Sequence, residues 1–402
     1  MIVKEWLRRI DGASVDVRIE AVAGLAEAWL GADLDAVDRD DVEAALTLVL
    51  DDASSRVRMA LAEALARSPL APRYIMLALA ADQPAIARLV LRRSPVLSEA
   101  ELVDIIAVSE PPYQCAIASR SRVTAGLAAA IAEVAAAEPC AVLADNPGAD
   151  LRPGALARMA ERHGDNGRLR EVLLARPDLP MPVRQMLIAR LGSVLGALAI
   201  SRFSLGSERA DRCVREACDK ATVTLAAEAG DGDMAPLVAH LSERGQLTTS
   251  LLLRALCAGN VRFLEAALAH LSGMPRTRVR SLLAEGRASA LRALFARAGL
   301  PKLTFGAFVV AIAVFRDMAA EGHVVESGAL DAPHLSRRMI ERVLERYEDF
   351  APEEADKLIV MLRRLASEAA RDAARERLER AREDLRLEAS VSGYIEDALK
   401  AA

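Results

Sequence analysis

Four arginines, Arg67, Arg93, Arg120 and Arg176, close a recurring phrase: Arg67-Ser68-Pro69, Arg93-Ser94-Pro95, Ser119-Arg120 and Arg176-Pro177. Guanidinium groups at a regular period support two kinds of chemistry. Aligned along one edge of a stack, they make a cationic ladder that accepts carboxylates as bidentate pairs. Set at helix C-termini, they satisfy free carbonyls and complement the macrodipole. These four residues are the candidate partner-binding set, with capping as the competing reading.

Other chemistry has little footing. The chain holds no Gly-x-x-x-x-Gly-Lys-Ser/Thr phosphate loop, no His-Glu-x-x-His zinc motif, no Gly-x-Ser-x-Gly elbow and no EF-hand loop. None of His163, His240, His270, His323 and His334 has a second His or a Cys at i+3 or i+4. They read as exposed or capping histidines, and His163-Gly164-Asp165-Asn166-Gly167 as a turn. Cys213 and Cys218 fall about 140° apart on a helical wheel, poorly placed to share a ligand. Buried thiols are expected there. We expect no catalytic residue, no metal and no cofactor.

The elements that position the arginines come from a repeat. The marks at 67, 93, 120, 146 and 176 lie 26, 27, 26 and 30 residues apart. After most of them a new helix starts, as at Ser98 and Thr124, both good N-caps. Each unit therefore holds two helices of roughly ten residues joined by tight turns, the signature of a solenoid whose units bury their apolar faces only by stacking. In the stretch Ser54–Pro69, Val57, Leu61, Ala64 and Leu65 share the apolar face and Pro69 ends the helix. The 402 residues are 52% hydrophobic but only 3% aromatic, with Ala and Leu dominant, which suits closely packed helices. The predicted fold is all-α.

A second pattern runs through the first repeats. Asp52 precedes Val57-Arg58 as Asp82 precedes Arg88. These residues resemble the Asp and Arg of HEAT repeats, which implies a ladder of charged hydrogen bonds between successive units. Over residues 50–320 the chain is similar to an uncharacterised HEAT-like family from Alphaproteobacteria. Leu91-Arg92-Arg93-Ser94, Ala116–Arg120, Leu173–Pro180 and Leu247–Leu271 carry that resemblance. It implies a fold and no activity.

The organisation expected is a HEAT-like α-solenoid over 1–190, a second helical region over 191–322 and C-terminal helices over 333–402. Residues 322–333 read as a loop. Glu353–Ala389 contains no Gly or Pro and reads as one long charged helix with i,i+3 and i,i+4 ion pairs. Its seam of Leu358, Leu362, Leu365 and Ala369 should dock on the body. Residues 370–389 should be more exposed, open to a partner or to a homodimer. Gly192 and Gly196 should let helices approach closely. The apolar run Leu303–Phe315 is too short for a span of about 20 residues and reads as a fully buried helix. With no apolar leader at the N-terminus and an odd set of five scattered cysteines, the expected setting is soluble, reducing and cytoplasmic, with no membrane role.

Net charge is −5, against the strongly positive stripe that nucleic-acid binding needs. Local basic clusters at Arg88–Arg93, Arg276–Arg280 and Arg337-Arg338 keep a nucleic-acid-binding protein, even a base-repair enzyme, as the alternative. The leading expectation is a non-enzymatic scaffold or regulatory adaptor that binds a protein or peptide partner.

Overall fold

The computed structural model describes residues 2–31, 34–323, 333–348 and 356–401. The first helices are α1 (Ile2–Ile10), α2 (Val15–Gly31), α3 (Ala36–Leu48), α4 (Ser55–Leu65), α5 (Arg73–Ala80) and α6 (Pro84–Arg93). Then come α7 (Glu99–Val108), α8 (Pro111–Ala118), α9 (Ala125–Val134), α10 (Ala137–Asp145), α11 (Pro153–His163) and α12 (Gly167–Ala175). Longer helices follow: α13 (Met181–Phe203), α14 (Ser207–Glu228), α15 (Asp231–Glu243), α16 (Thr249–Cys257) and α17 (Val261–Ser272). The chain ends with α18 (Arg276–Glu285), α19 (Ala288–Arg297), α20 (Phe305–Ala320), α21 (Pro333–Glu348) and α22 (Asp356–Ala401). Among the described residues no strand forms; Val123 and Ala149 make a single parallel bridge. The all-α reading holds. Two compact units divide the chain, Met1–Leu191 and Gly192–Ala402.

In the first unit the helices are short because the sequence starts and stops them often. Prolines stand in the first turn of α6, α8 and α11, where a missing N–H costs nothing. Ser98 and Glu101 form a reciprocal capping box at the start of α7, and Thr124 and Asn166 cap α9 and α12. Helices of eight to eleven residues are marginal alone, so stacking must hold them. Helices α2, α4, α6, α8, α10 and α12 pack in succession as one layer, and α7, α9 and α11 as a second. Leu61, Leu65, Ile75, Leu79, Ile86 and Leu91 are fully buried in the core this creates.

Charged rungs join the first repeats of the layer that starts with α2 and α4. Arg18 on α2 donates to both carboxylate oxygens of Asp52, at 2.9 and 3.1 Å, and to the Ala13 carbonyl. Arg58 on α4 repeats the move one unit later. It donates to Asp82 at 2.6 and 2.8 Å and to the Asp52 carbonyl at 2.6 Å. Each Asp also accepts from a nearby backbone N–H, of Ser54 and of Gln83 respectively. The Arg58–Asp82 side chains are each only 13% exposed. Asp82 sits below the usual carboxylate range, chiefly through the Arg58 hydrogen bonds, and Arg58 is raised in return. The next arginine in register, Arg88, finds no such partner and turns back to the Pro84 carbonyl of its own helix. The charged ladder therefore spans two rungs.

The second unit centres on α17, whose Phe263, Leu264, Ala267 and Leu268 are fully buried. Around it pack α15, α16, α18 and α19, while α20 packs against α16, α19 and α21. Phe295 meets Phe308 with ring centroids 5.0 Å apart. Gly286 ends α18 at φ +66°, a left-handed conformation that strains other residues, and a Cβ there would displace the Arg316 guanidinium. Gly192 and Gly196 bring α13 against Val214 and Cys218 of α14, as their spacing predicts.

Two expectations need correction. The run Leu303–Phe315 is not fully buried: Ala307, Phe308, Ala311 and Ile312 face the core, but Leu303, on a turn before α20, is exposed. Nor are Cys213 and Cys218 buried thiols. Cys213 is exposed beside an open cleft and Cys218 is half-buried against Gly192 of α13; Cys140 and Cys257 are the buried ones.

The C-terminal helix follows its predicted division in part. Leu362 and Leu365 are buried as expected and Leu378 and Leu385 are exposed, but Ala369 is only half-buried and the docked stretch runs on to Ala373, which is buried. Glu368, predicted to pair with Arg371, reaches Arg254 of the body, whereas Asp372 keeps its predicted partner Arg375 at 3.5 Å and also takes Lys220 at 2.6 Å. The expected Glu353–Lys357 pair and most of the 322–333 loop lie outside the described residues.

Replacing Leu65 by Ala should destabilise the first unit by about 2–5 kcal/mol, the usual cost of a buried cavity. Urea unfolding combined with amide exchange across α4–α6 reads this directly. A loss under about 0.5 kcal/mol would show that the site collapses freely.

Candidate functional site

The four periodic arginines divide into two kinds. Arg120 donates to the carbonyls of Leu91 and Ser94, at 2.5 and 2.6 Å, closing the C-terminus of α6 in the preceding repeat. Arg176 donates to the Ala144 carbonyl at the end of α10, and its remaining N–H groups hold Asp178. Between them, Asn146 does the same work with an amide, donating to Ala118 and Arg120 carbonyls at 2.8 Å each. Arg184 completes the series by donating to the Arg176 carbonyl at 2.6 Å. Burial lowers the Arg120 pKa, yet its carbonyl partners keep the guanidinium hydrogen-bonded. Arg67 and Arg93 are exposed and point outward.

Capping is thus directed to the neighbouring repeat rather than to the residue's own helix. The second layer uses the same device. Arg162 donates to Ala132 and Ala135 carbonyls at the end of α9, and Arg190 to the Glu161 carbonyl of α11. His163 Nε2 lies 3.0 Å from the Ala135 oxygen. A carbonyl only accepts, so His163 carries its proton on that nitrogen. Asn146 stands at the repeat mark 146 of the sequence, without a role assigned to it there; Arg18 and Arg184 fall outside the sequence reading, and the phase of the repeat was the signal available for them.

Two places can receive a ligand or partner. The first is a groove of about 310 Å³ across α2, α4 and α6, floored by Ile19, Met59, Ala60 and Ile86. Ser55, Arg56, Glu63 and Gln83 edge it. Arg56 is held by Asp16 at 2.8 Å across consecutive helices of the layer. This gives an apolar floor with both charge signs at the rim.

The second lies in the other unit, where α22 crosses α14 and α16. Lys220–Asp372 at 2.6 Å and Arg254–Glu368 at 2.8 Å make a wall of ion pairs. A cavity of about 240 Å³, with Val223, Cys257 and Ile340, lies against that wall. A more open cleft of about 560 Å³, with Cys213, Met361 and Arg364, shares the same four charged residues. Burial pushes Asp219 up to about 6, opposed by Arg254 and Arg215 and reinforced by Glu216 and Glu368. Burial also pushes the Cys257 thiol up to about 12, which leaves it un-ionised and unreactive. Among the described residues no group of three or more His, Cys, Asp or Glu could hold a metal ion.

The sign of the Asp219 effect follows from its raised value. The carboxyl supports the fold fully below its ordinary value of 3.8, and that support is lost as pH rises through about 6. Asp219→Asn should therefore stabilise the second unit at pH 7–8 by on the order of 1–2 kcal/mol after solvent screening, with no gain below pH about 4. Paired thermal melts at the two pH values check it; an equal effect at both would remove the titration argument.

A family model described as an uncharacterised protein conserved in bacteria (DUF2336) matches residues 86–353. No curated protein and no solved structure matches the chain.

Proposed function

We propose that this chain, which belongs to that uncharacterised bacterial family, is a non-enzymatic helical-repeat scaffold or regulatory adaptor of the HEAT-like kind, binding a peptide segment of a protein partner. The groove across α2, α4 and α6 carries the reading. It is built on the same layer that the Asp–Arg rungs hold in register, so its walls are pre-set rather than formed on binding. Met59 and Ile19 offer an apolar floor for one or two side chains, and Arg56 and Glu63 offer opposite charges to fix direction.

Charge supports a protein partner over nucleic acid. The groove has one arginine, already paired with Asp16, and a glutamate. Of the basic clusters, Arg276 and Arg280 lie beside Glu265, and Arg337 is held by Glu341. Such paired arginines release few counterions and make a weak phosphate track. The cytoplasm is the compartment this reading implies.

Affinity capture from the native host, quantified by mass spectrometry, tests it with the wild-type chain and Met59→Glu side by side. Met59 is half-buried at the groove floor, so circular dichroism should show both forms equally helical. At least one protein should be enriched on the wild type and fall tenfold or more on the variant. Identical capture profiles would remove the groove from the reading. Salt-sensitive capture of nucleic acid by both forms would replace the protein partner.

A further inference from the structure

Helix α13 is 23 residues long and strongly apolar, yet only 11% of its apolar window is buried. Between Arg190 and Arg202 it carries no charge over eleven residues, Leu191–Ser201. In the second unit it packs against α14 through Gly192 and Gly196, which face Val214 and Cys218. The large apolar side chains beyond that contact are in solvent: Leu195 is 54% exposed, Leu198 46%, Ile200 40% and Phe203 81%. Few soluble proteins leave such a cluster uncovered on one short element.

Cations gather beside this cluster. From residue 192 to residue 215 the chain has four basic and two acidic side chains, although the whole protein is acidic. Arg202, Arg209 and Arg212 are all exposed. None of the three has a carboxylate partner among the described residues, while arginines elsewhere in this unit, such as Arg254, Arg262 and Arg342, do. The turn between the helices is set by Ser204 at φ +49°, with the Leu205 N–H reaching back to the Ala199 carbonyl. It holds Phe203 and the arginines of both helices at one end of the hairpin.

We propose that the α13–α14 hairpin is a peripheral membrane-docking element that lays its apolar helix into the interface of an anionic lipid surface. An uncharged run of this length is about 16 Å of helix, short of the roughly 30 Å hydrocarbon core, so it lies in the interface and does not span. Leu195, Leu198 and Phe203 enter the acyl boundary, and Arg202, Arg209 and Arg212 meet lipid phosphates, the usual division in interfacial helices. Leu195 and Leu198 lie about 60° apart on the helix and share the face that enters the interface. A second copy of the chain fits less well, since a symmetric contact through this face would bring the same three arginines of both copies together. The proposal departs from the expectation of a protein without a membrane role.

Vesicle co-sedimentation of the full chain tests this, with phosphatidylglycerol-containing vesicles set against pure phosphatidylcholine. The wild type should sediment with the anionic vesicles at least tenfold more than with the neutral ones, and lose most binding in high salt. Leu195→Glu/Leu198→Glu and Arg202→Glu/Arg209→Glu should each lower anionic-vesicle binding tenfold or more. All four positions are exposed, so circular dichroism should be unchanged. Light scattering runs in parallel. A chain that stays in the supernatant, or variants that sediment like the wild type, would overturn the proposal. A dimer dissociated by Leu195→Glu/Leu198→Glu would also overturn it, since the surface would then belong to a second copy.

Discussion

Every short helix ends in carbonyl groups with no partner inside the helix, and a repeat protein meets that cost at each turn. Here the next repeat supplies the donor. Arg120, Asn146, Arg176 and Arg184 close α6, α8, α10 and α12 in succession. A donor removed from such a site leaves one or two helix-end carbonyls without it, and a buried acceptor left unsatisfied costs more than the hydrogen bond itself contributed. The brace therefore does two things. It satisfies the helix ends, and it fixes the distance and rotation between neighbouring repeats. Apolar packing alone is non-directional and would leave that geometry loosely set.

The braces change character along the chain for a physical reason. Arg18 and Arg58 reach an Asp that is itself tethered by a backbone N–H, so charge meets charge in a half-buried setting. Beyond α6 no Asp stands in register, and the arginines turn to carbonyl oxygens. A guanidinium serves both arrangements because its fork can bridge two acceptors at once; an ammonium would lose the bidentate geometry. Asn146 shows how little charge matters in the carbonyl version, since a neutral amide holds the same place.

The second unit rests on a different balance. Its core is aromatic and leucine-rich around α17, but α22 docks through a seam of Leu362, Leu365 and Ala373 reinforced by ion pairs to Arg254 and Lys220. Burying charges beneath a docked helix raises Asp219. That makes the stability of this unit depend on pH through Asp219.

Periodicity made most of the architecture legible. The apolar spacing of Val57, Leu61 and Leu65, the caps at Ser98 and Thr124, and the glycines between α13 and α20 settle which segments are helical, because these are local rules of the backbone. The Asp–Arg register was legible for the same reason at Asp52 and Asp82. Tertiary structure alone decided what the periodic arginines touch. Arg93 and Arg120 stand at the same mark in sequence, yet one points to solvent and the other into the preceding repeat's carbonyls. It also decided which apolar residues stay outside. Leu198 and Leu65 are the same residue on equally helical segments, and only the presence or absence of a neighbouring helix separates a core position from an exposed one. A helix fixes its own faces through short-range hydrogen bonds, but which face is covered depends on distant segments arriving beside it.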